Sequence, residues 1–150
     1  MKENLYKIKE NLYKMIMNVD FKSAEKIFLT LSNQEQREVI EELVYDTYSM
    51  IIYAFVQYIN EKNEKILFHE IQFDMLSNAL CHIEGAYQMA LYHNQRLLEL
   101  VPNDIQYMEW MLLFYDVKVI GKEKTISFAK KILEIDINNV NAQDFLKRLT

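Results

Sequence analysis

Helix breakers and covalent staples are almost missing from this chain. Two glycines and one proline occur in 150 residues. Those residues punctuate turns, so their scarcity leaves long helices joined by short turns as the expected architecture. The glycines, Gly85 and Gly121, stand far apart, which excludes a glycine-rich phosphate loop. Cys81 is the single cysteine, so no internal disulfide can form. No apolar run reaches the roughly 18 residues needed to span a membrane. The opening Met1-Lys2-Glu3-Asn4 lacks the apolar region of a signal peptide. A cytoplasmic protein with a reduced thiol is expected.

What is present is an apolar, acidic chain. Hydrophobic residues make up 51% of it, enough for one substantial core, and the length suits a single domain. The net charge of -5 is unevenly spread. Residues 1–17 sum to +2, 18–75 to -6, 76–120 to -3 and 121–150 to +2. An acidic middle argues against direct nucleic-acid binding, which needs clustered Lys and Arg. It favours a basic protein surface as partner.

The strongest pattern lies between Ala86 and Leu149. Leu98-Glu99-Leu100-Val101-Pro102-Asn103-Asp104 returns 35 residues later as Leu133-Glu134-Ile135-Asp136-Ile137-Asn138-Asn139. Beyond the turn, Trp110 aligns with Phe145, and before it Leu97 aligns with Ile132. Trp110 is therefore expected in the repeat core. An apolar helix, a turn and a second apolar helix at this period mark stacked helical hairpins.

These residues resemble a degenerate tetratricopeptide pair. The first part of that family pattern falls on Met108, Met111, Leu112 and Tyr115. The second falls on Ala90, Asn94 and Pro102, then on Thr125, Ala129 and Ile137. Tyr115, Ala90 and Pro102 match by type. Leu112 stands where the family has a small glycine, so helix packing there must differ. The resemblance implies an all-α fold of antiparallel helical hairpins in a tetratricopeptide-like array.

The whole chain also resembles the small acidic helical immunity proteins of bacterial polymorphic toxins, the contact-dependent inhibition type. Cys81 to Asp104, Glu109 to Tyr115 and Lys130 to Asn139 carry that likeness. It implies a protein that neutralises a cognate, basic toxin domain by covering it.

Taken in order, residues 2–8 and 9–15 read KENLYKI and KENLYKM. Leu5, Ile8, Leu12 and Met15 make one apolar helix face. Two heptads are too few for a coiled coil, so self-association through them is not favoured. Asp20 can cap a short second helix. Ser32-Asn33-Gln34-Glu35 is a capping-box sequence. The stripe Ile40, Val44, Tyr48, Ile51 and Phe55 then predicts one helix of about 27 residues, on the order of 40 Å long. Residues 1–63 thus hold the N-terminal helices. Residues 64–150 hold the hairpins, with helix re-entry through His82 and Gly85. A glycine inside that helix suggests a close helix crossing. Seven or eight helices are expected in all.

Chemistry is hard to place. His69-Glu70 is followed by Ile71-Gln72-Phe73, so the second histidine of a zincin motif is missing. His82 and His93 are eleven residues apart, about 16 Å along a helix, too far to share a metal. Cys81 has no base placed to activate it. Neither enzyme nor cofactor nor metal site is expected.

Two surfaces remain as candidates. Glu35, Glu38, Glu42 and Asp46 share one stripe of the long helix, with Arg37 the only cation nearby in sequence. Like charges at that spacing repel, which a cationic partner would relieve. The hairpin register would place Gln72, Met75, Gln106, Glu109, Leu113 and Asp116 along a concave side. The leading expectation is the immunity-type protein. The alternative is a tetratricopeptide-like scaffold or peptide-binding module.

Overall fold

The computed structural model describes residues 2–149. Among them the chain is all helical, with nine helices and no strand. The seven or eight expected helices become nine because the long one divides. The helices are α1 (Lys2–Met17), α2 (Phe21–Phe28), α3 (Asn33–Thr47), α4 (Met50–Lys62), α5 (Ile66–Ser77), α6 (Ala86–Leu100), α7 (Ile105–Asp116), α8 (Lys122–Ile135) and α9 (Val140–Leu149). They fall into two compact units that divide between Ala86 and Tyr87.

In the first unit, α1 buries Leu12 and Ile16 completely and packs on α2, α3 and α4. Asp20 caps α2 by accepting from the Ser23 amide at 3.2 Å. Three buried phenylalanines lie at the centre, with the half-buried Phe21 beside them. Phe28 touches both Phe55 and Phe68, and Phe55 also meets Phe21. Aromatic contacts of this kind add about 0.5–1.5 kcal/mol each beyond their burial. The capping box forms as the sequence predicts: the Ser32 hydroxyl accepts from Glu35 N–H, and the Glu35 carboxylate accepts from Ser32 N–H at 2.8 Å.

The expected 27-residue helix is two helices. Tyr48 ends α3 in the left-handed conformation, with φ 48°. The flanking hydroxyls take up freed backbone groups. Thr47 Oγ1 donates to Leu43 O at 2.8 Å and accepts from Ser49 N–H, while Ser49 Oγ accepts from the Ile51 amide. Such side chains compete with the helix for its own hydrogen bonds. Tyr48 consequently leaves the apolar stripe and is exposed, while Ile40, Val44 and Phe55 stay buried.

Helix α5 packs on α3 and α4 and is buried on most of its circumference. Phe68, His69, Ile71, Gln72, Phe73, Met75 and Leu76 are all covered. A helix covered all round lies at the centre of its unit. After Asn78 the chain runs through turns, and helix resumes only at Ala86. Gly85 is therefore outside the helix. Its φ is +84°, and a Cβ there would meet nothing within 4 Å. The glycine serves a left-handed turn and not a close helix crossing.

In the second unit, the 35-residue repeat is a repeat of geometry. Asp104 accepts from the Tyr107 amide at 3.1 Å, and Asn139 from the Ala142 amide at 2.9 Å. Val101 N–H donates to Leu97 O, and Asp136 N–H to Ile132 O, both at 2.8 Å. The core is built from Met108, Leu112, Ala129, Ile132, Ala142 and Phe145. Trp110 departs from expectation: it is half-buried, outside that cluster, and rests against Tyr107. The structural repeat places it beside Phe145 in register but not in burial.

Candidate partner-binding surface

The acidic residues of α3 serve different ends. Glu35 is committed to the capping box. Glu38 is exposed and accepts from the Gln34 amide group at 2.8 Å. Glu42 and Asp46 are also exposed, but Lys9 of α1 reaches both, at 2.8 and 2.7 Å. Hydrogen bonds to Asp46 and then Glu42 raise the Lys9 pKa above its ordinary value. The lower half of the stripe is thus an internal tie between α1 and α3. Arg37 turns away from the stripe toward α5. Its guanidinium donates to Glu70 at 2.6 Å and to Asp74 at 3.0 Å. The stripe's unshared charge is narrowed to Glu38 and its neighbour Glu41, which makes no ion pair among the described residues.

Beside Glu41, α3 and α5 enclose a cavity of about 130 Å³. Its floor is apolar, made by Ile40, Val44, Ile71 and Met75, all buried. Glu41, Tyr45 and Asp74 line its mouth with Arg37. The Tyr45 ring is 45% exposed and meets Tyr48 edge-on. Asp74 has its pKa raised from 3.8 to about 6. Burial is the largest cause; Arg37 opposes the shift, while Glu70 and Glu41 add to it.

Within the expected concave set, the first unit's Gln72 and Met75 are covered. Gln72 has no exposure at all. Its side chain accepts from Asn60 at 3.0 Å and donates to Gln57 at 2.6 Å. A glutamine between helices satisfies its amide this way and cannot meet a partner. Met75 is buried as well. In the second unit, Glu109 and Asp116 line one shallow hollow with Leu113 and Arg148. Glu109 accepts from Asn139 at 2.6 Å, and Asp116 takes a two-pronged contact from Arg148 at 3.1 and 3.3 Å. Gln106 is exposed on the first turn of α7.

Lys9, Glu41, Tyr45 and Asp74 were not singled out by sequence. Tyr45 follows Glu41 by one helical turn, a spacing that could have joined them. Nothing local joins Asp74 to Arg37, 37 residues away. His69 is buried with Nε2 2.8 Å from Glu64, and His93 is buried. His82 is exposed beside the Tyr48 ring. Among the described residues no three His, Cys, Asp or Glu side chains gather to hold a metal. No described helix is long and apolar enough to cross a membrane.

No family model, curated protein or solved structure matches this chain. In the second unit Glu99, Glu109 and Asp116 have internal partners, while Glu123 and Glu134 are exposed. The first unit presents Glu38 and Glu41, exposed and without an ion pair among the described residues, beside the α3–α5 cavity.

Proposed function

We propose that this chain is an immunity-type protein that neutralises a cognate toxin domain by binding and covering it. The partner in this reading is a basic domain, such as a nuclease whose substrate-binding face is cationic. The acidic α3 face then takes the place of nucleic acid, and inhibition is steric and electrostatic. The observation that carries the reading is the exposed pair Glu38 and Glu41 on α3, neither of which makes an ion pair among the described residues. Excess charge of one sign at a concave site draws the opposite charge and speeds encounter. The sequence likeness to immunity proteins supports the same reading. The protein works in the cytoplasm, without catalysis, cofactor or metal, and touches neither nucleic acid nor membrane directly.

Helices α6 to α9 are read as two tetratricopeptide-like hairpins. The repeated caps at Asp104 and Asn139 support this. A second reading, a peptide-binding module, draws on the hollow beside Glu109 and Asp116. The test is to sequence the adjacent reading frame and, where it encodes a basic domain, to co-express that domain with this chain. Rescue of growth, with a binding footprint on α3, supports the immunity reading. A footprint confined to α7 and α9 supports the peptide module instead.

A further inference from the structure

Tyr6 and Tyr13 stand three residues before and four after Lys9, so all three share one side of α1. Lys9 is the residue that reaches Glu42 and Asp46 of α3. The two tyrosines therefore flank the seam where α1 meets α3. Both are open to solvent, 60% and 43% exposed. Among the described residues neither makes a hydrogen bond or a ring contact. Glu10, four residues after Tyr6 and three before Tyr13, sets an exposed carboxylate between them, and it too is without an ion pair among the described residues.

The seam is negative on its outer side. The Lys9 side chain is recessed, 18% exposed, while those of Glu42 and Asp46 are 61% and 60% exposed. One lysine balances one of these two carboxylates, so a negative charge remains. Glu38, one helical turn before Glu42, adds another. The other lysines of α1 do not cancel this charge. Lys7 and Lys14 each follow a tyrosine by one residue, about 100° further round the helix and away from Lys9.

We infer that the α1–α3 seam anchors the partner-binding surface, and that arginine side chains of the basic partner lie across Tyr6 and Tyr13. This rests on the reading that the acidic face of the first unit meets a basic protein. Tyrosine supplies large, rigid contact area at low entropy cost, and tyrosine and arginine are enriched among the residues that carry interface energy. A guanidinium stacks its flat face on a tyrosine ring. Its N–H groups then fork to Glu10 on one side or to the outward oxygens of Glu42 and Asp46 on the other. Lysine has the charge but neither the plane nor the fork. The tyrosines are two turns apart, about 10 Å along α1, which suits two arginines two turns apart on a partner helix. A second copy of this face, or a phosphate backbone, would meet it with like charge.

A helical, alanine-rich peptide carrying two arginines two turns apart tests this on the full chain by NMR, without any toxin. At low salt, saturable shifts are expected at the Tyr6 and Tyr13 rings and at the Glu10 and Glu42 amides. The same peptide with lysines binds more weakly. Tyr6→Ala combined with Tyr13→Ala removes no charge; the variant keeps the wild-type circular dichroism, and peptide affinity falls about ten-fold. Glu10→Gln alone weakens binding by about two- to three-fold, a check that leaves both rings in place. Absent shifts, shifts spread evenly over the acidic helices, equal binding of the lysine peptide, or unchanged affinity in the tyrosine variant would overturn the assignment. The readout is separate from growth rescue, so a failed titration leaves the rescue result standing, and a failed rescue leaves the titration result standing.

Discussion

Asp104 and Asn139 stand 35 residues apart and cap their helices with the same hydrogen bond, to the amide three residues on. They are not equal in what else they do. Asn139 is 8% exposed and also donates to Glu109 across to α7. Asp104 is half-buried and caps alone. Asp104→Ala is expected to cost about 1 kcal/mol, the usual loss of a cap. Asn139→Ala is expected to cost about 2 kcal/mol, since the half-buried Glu109 carboxylate also loses its donor. Urea unfolding of both variants checks the order; equal losses would show that the Glu109 contact is energetically idle.

The same repeat separates Trp110 from Phe145. Phe145 lies in the core of the second unit, 2% exposed. Phe145→Ala is expected to cost about 3–5 kcal/mol, as for buried aromatic truncation. Trp110, half-buried against Tyr107, is expected to cost about 1–2 kcal/mol, because less area is withdrawn from water. Paired denaturant curves decide this, and a Trp110→Ala loss as large as that of Phe145→Ala would place Trp110 in the core after all.

Asp74 gives a pH dependence with a fixed sign. Its pKa is raised from 3.8 to about 6 by folding. Between those values the native state binds more protons than the unfolded chain, so this group's contribution is fully present at low pH and is lost as pH rises through about 6. The carboxyl side chain is 48% exposed, so solvent screening holds the effect to about 1 kcal/mol or less. Comparing Asp74→Asn with the wild type at pH 4.5 and pH 7 isolates it. The wild type should lose stability relative to the variant on going to pH 7; a difference independent of pH would mean that Asp74 is not perturbed.

The features legible in the sequence are those that neighbours in sequence decide. The Ser32–Glu35 capping box and the caps at Asp20 and Asp104 depend on residues within one turn, and the 35-residue repeat shows when the chain is aligned with itself. What escaped depends on contacts across the fold. Periodicity runs smoothly through Tyr48, so only the hydroxyls of Thr47 and Ser49 hinted at the break there. Gln72 reads as a surface residue until Asn60 and Gln57 close around it. Lys9 lies more than 30 residues from Glu42 and Asp46, so no sequence neighbour of the stripe reveals their pairing. Arg37, next to the stripe in sequence, faces α5 instead.

That tie changes which residues can test the acidic face. Reversing Glu42 or Asp46 would set Lys9 against a like charge and loosen α1 from α3. Glu38→Lys and Glu41→Lys leave the Lys9 contacts intact. The double variant should keep the wild-type circular dichroism and melt within about 1 kcal/mol of it, since exposed charges contribute little to folding.

Growth rescue by that double variant is the most direct test. Where the adjacent reading frame encodes a basic toxin domain, cells expressing that domain should grow when the wild-type protein is present. The folded Glu38→Lys, Glu41→Lys variant should fail to protect, with association slowed most at low salt, where screening is weakest. A folded double variant that protects as well as the wild type, or a neighbouring domain that the wild type cannot neutralise, would contradict the proposal.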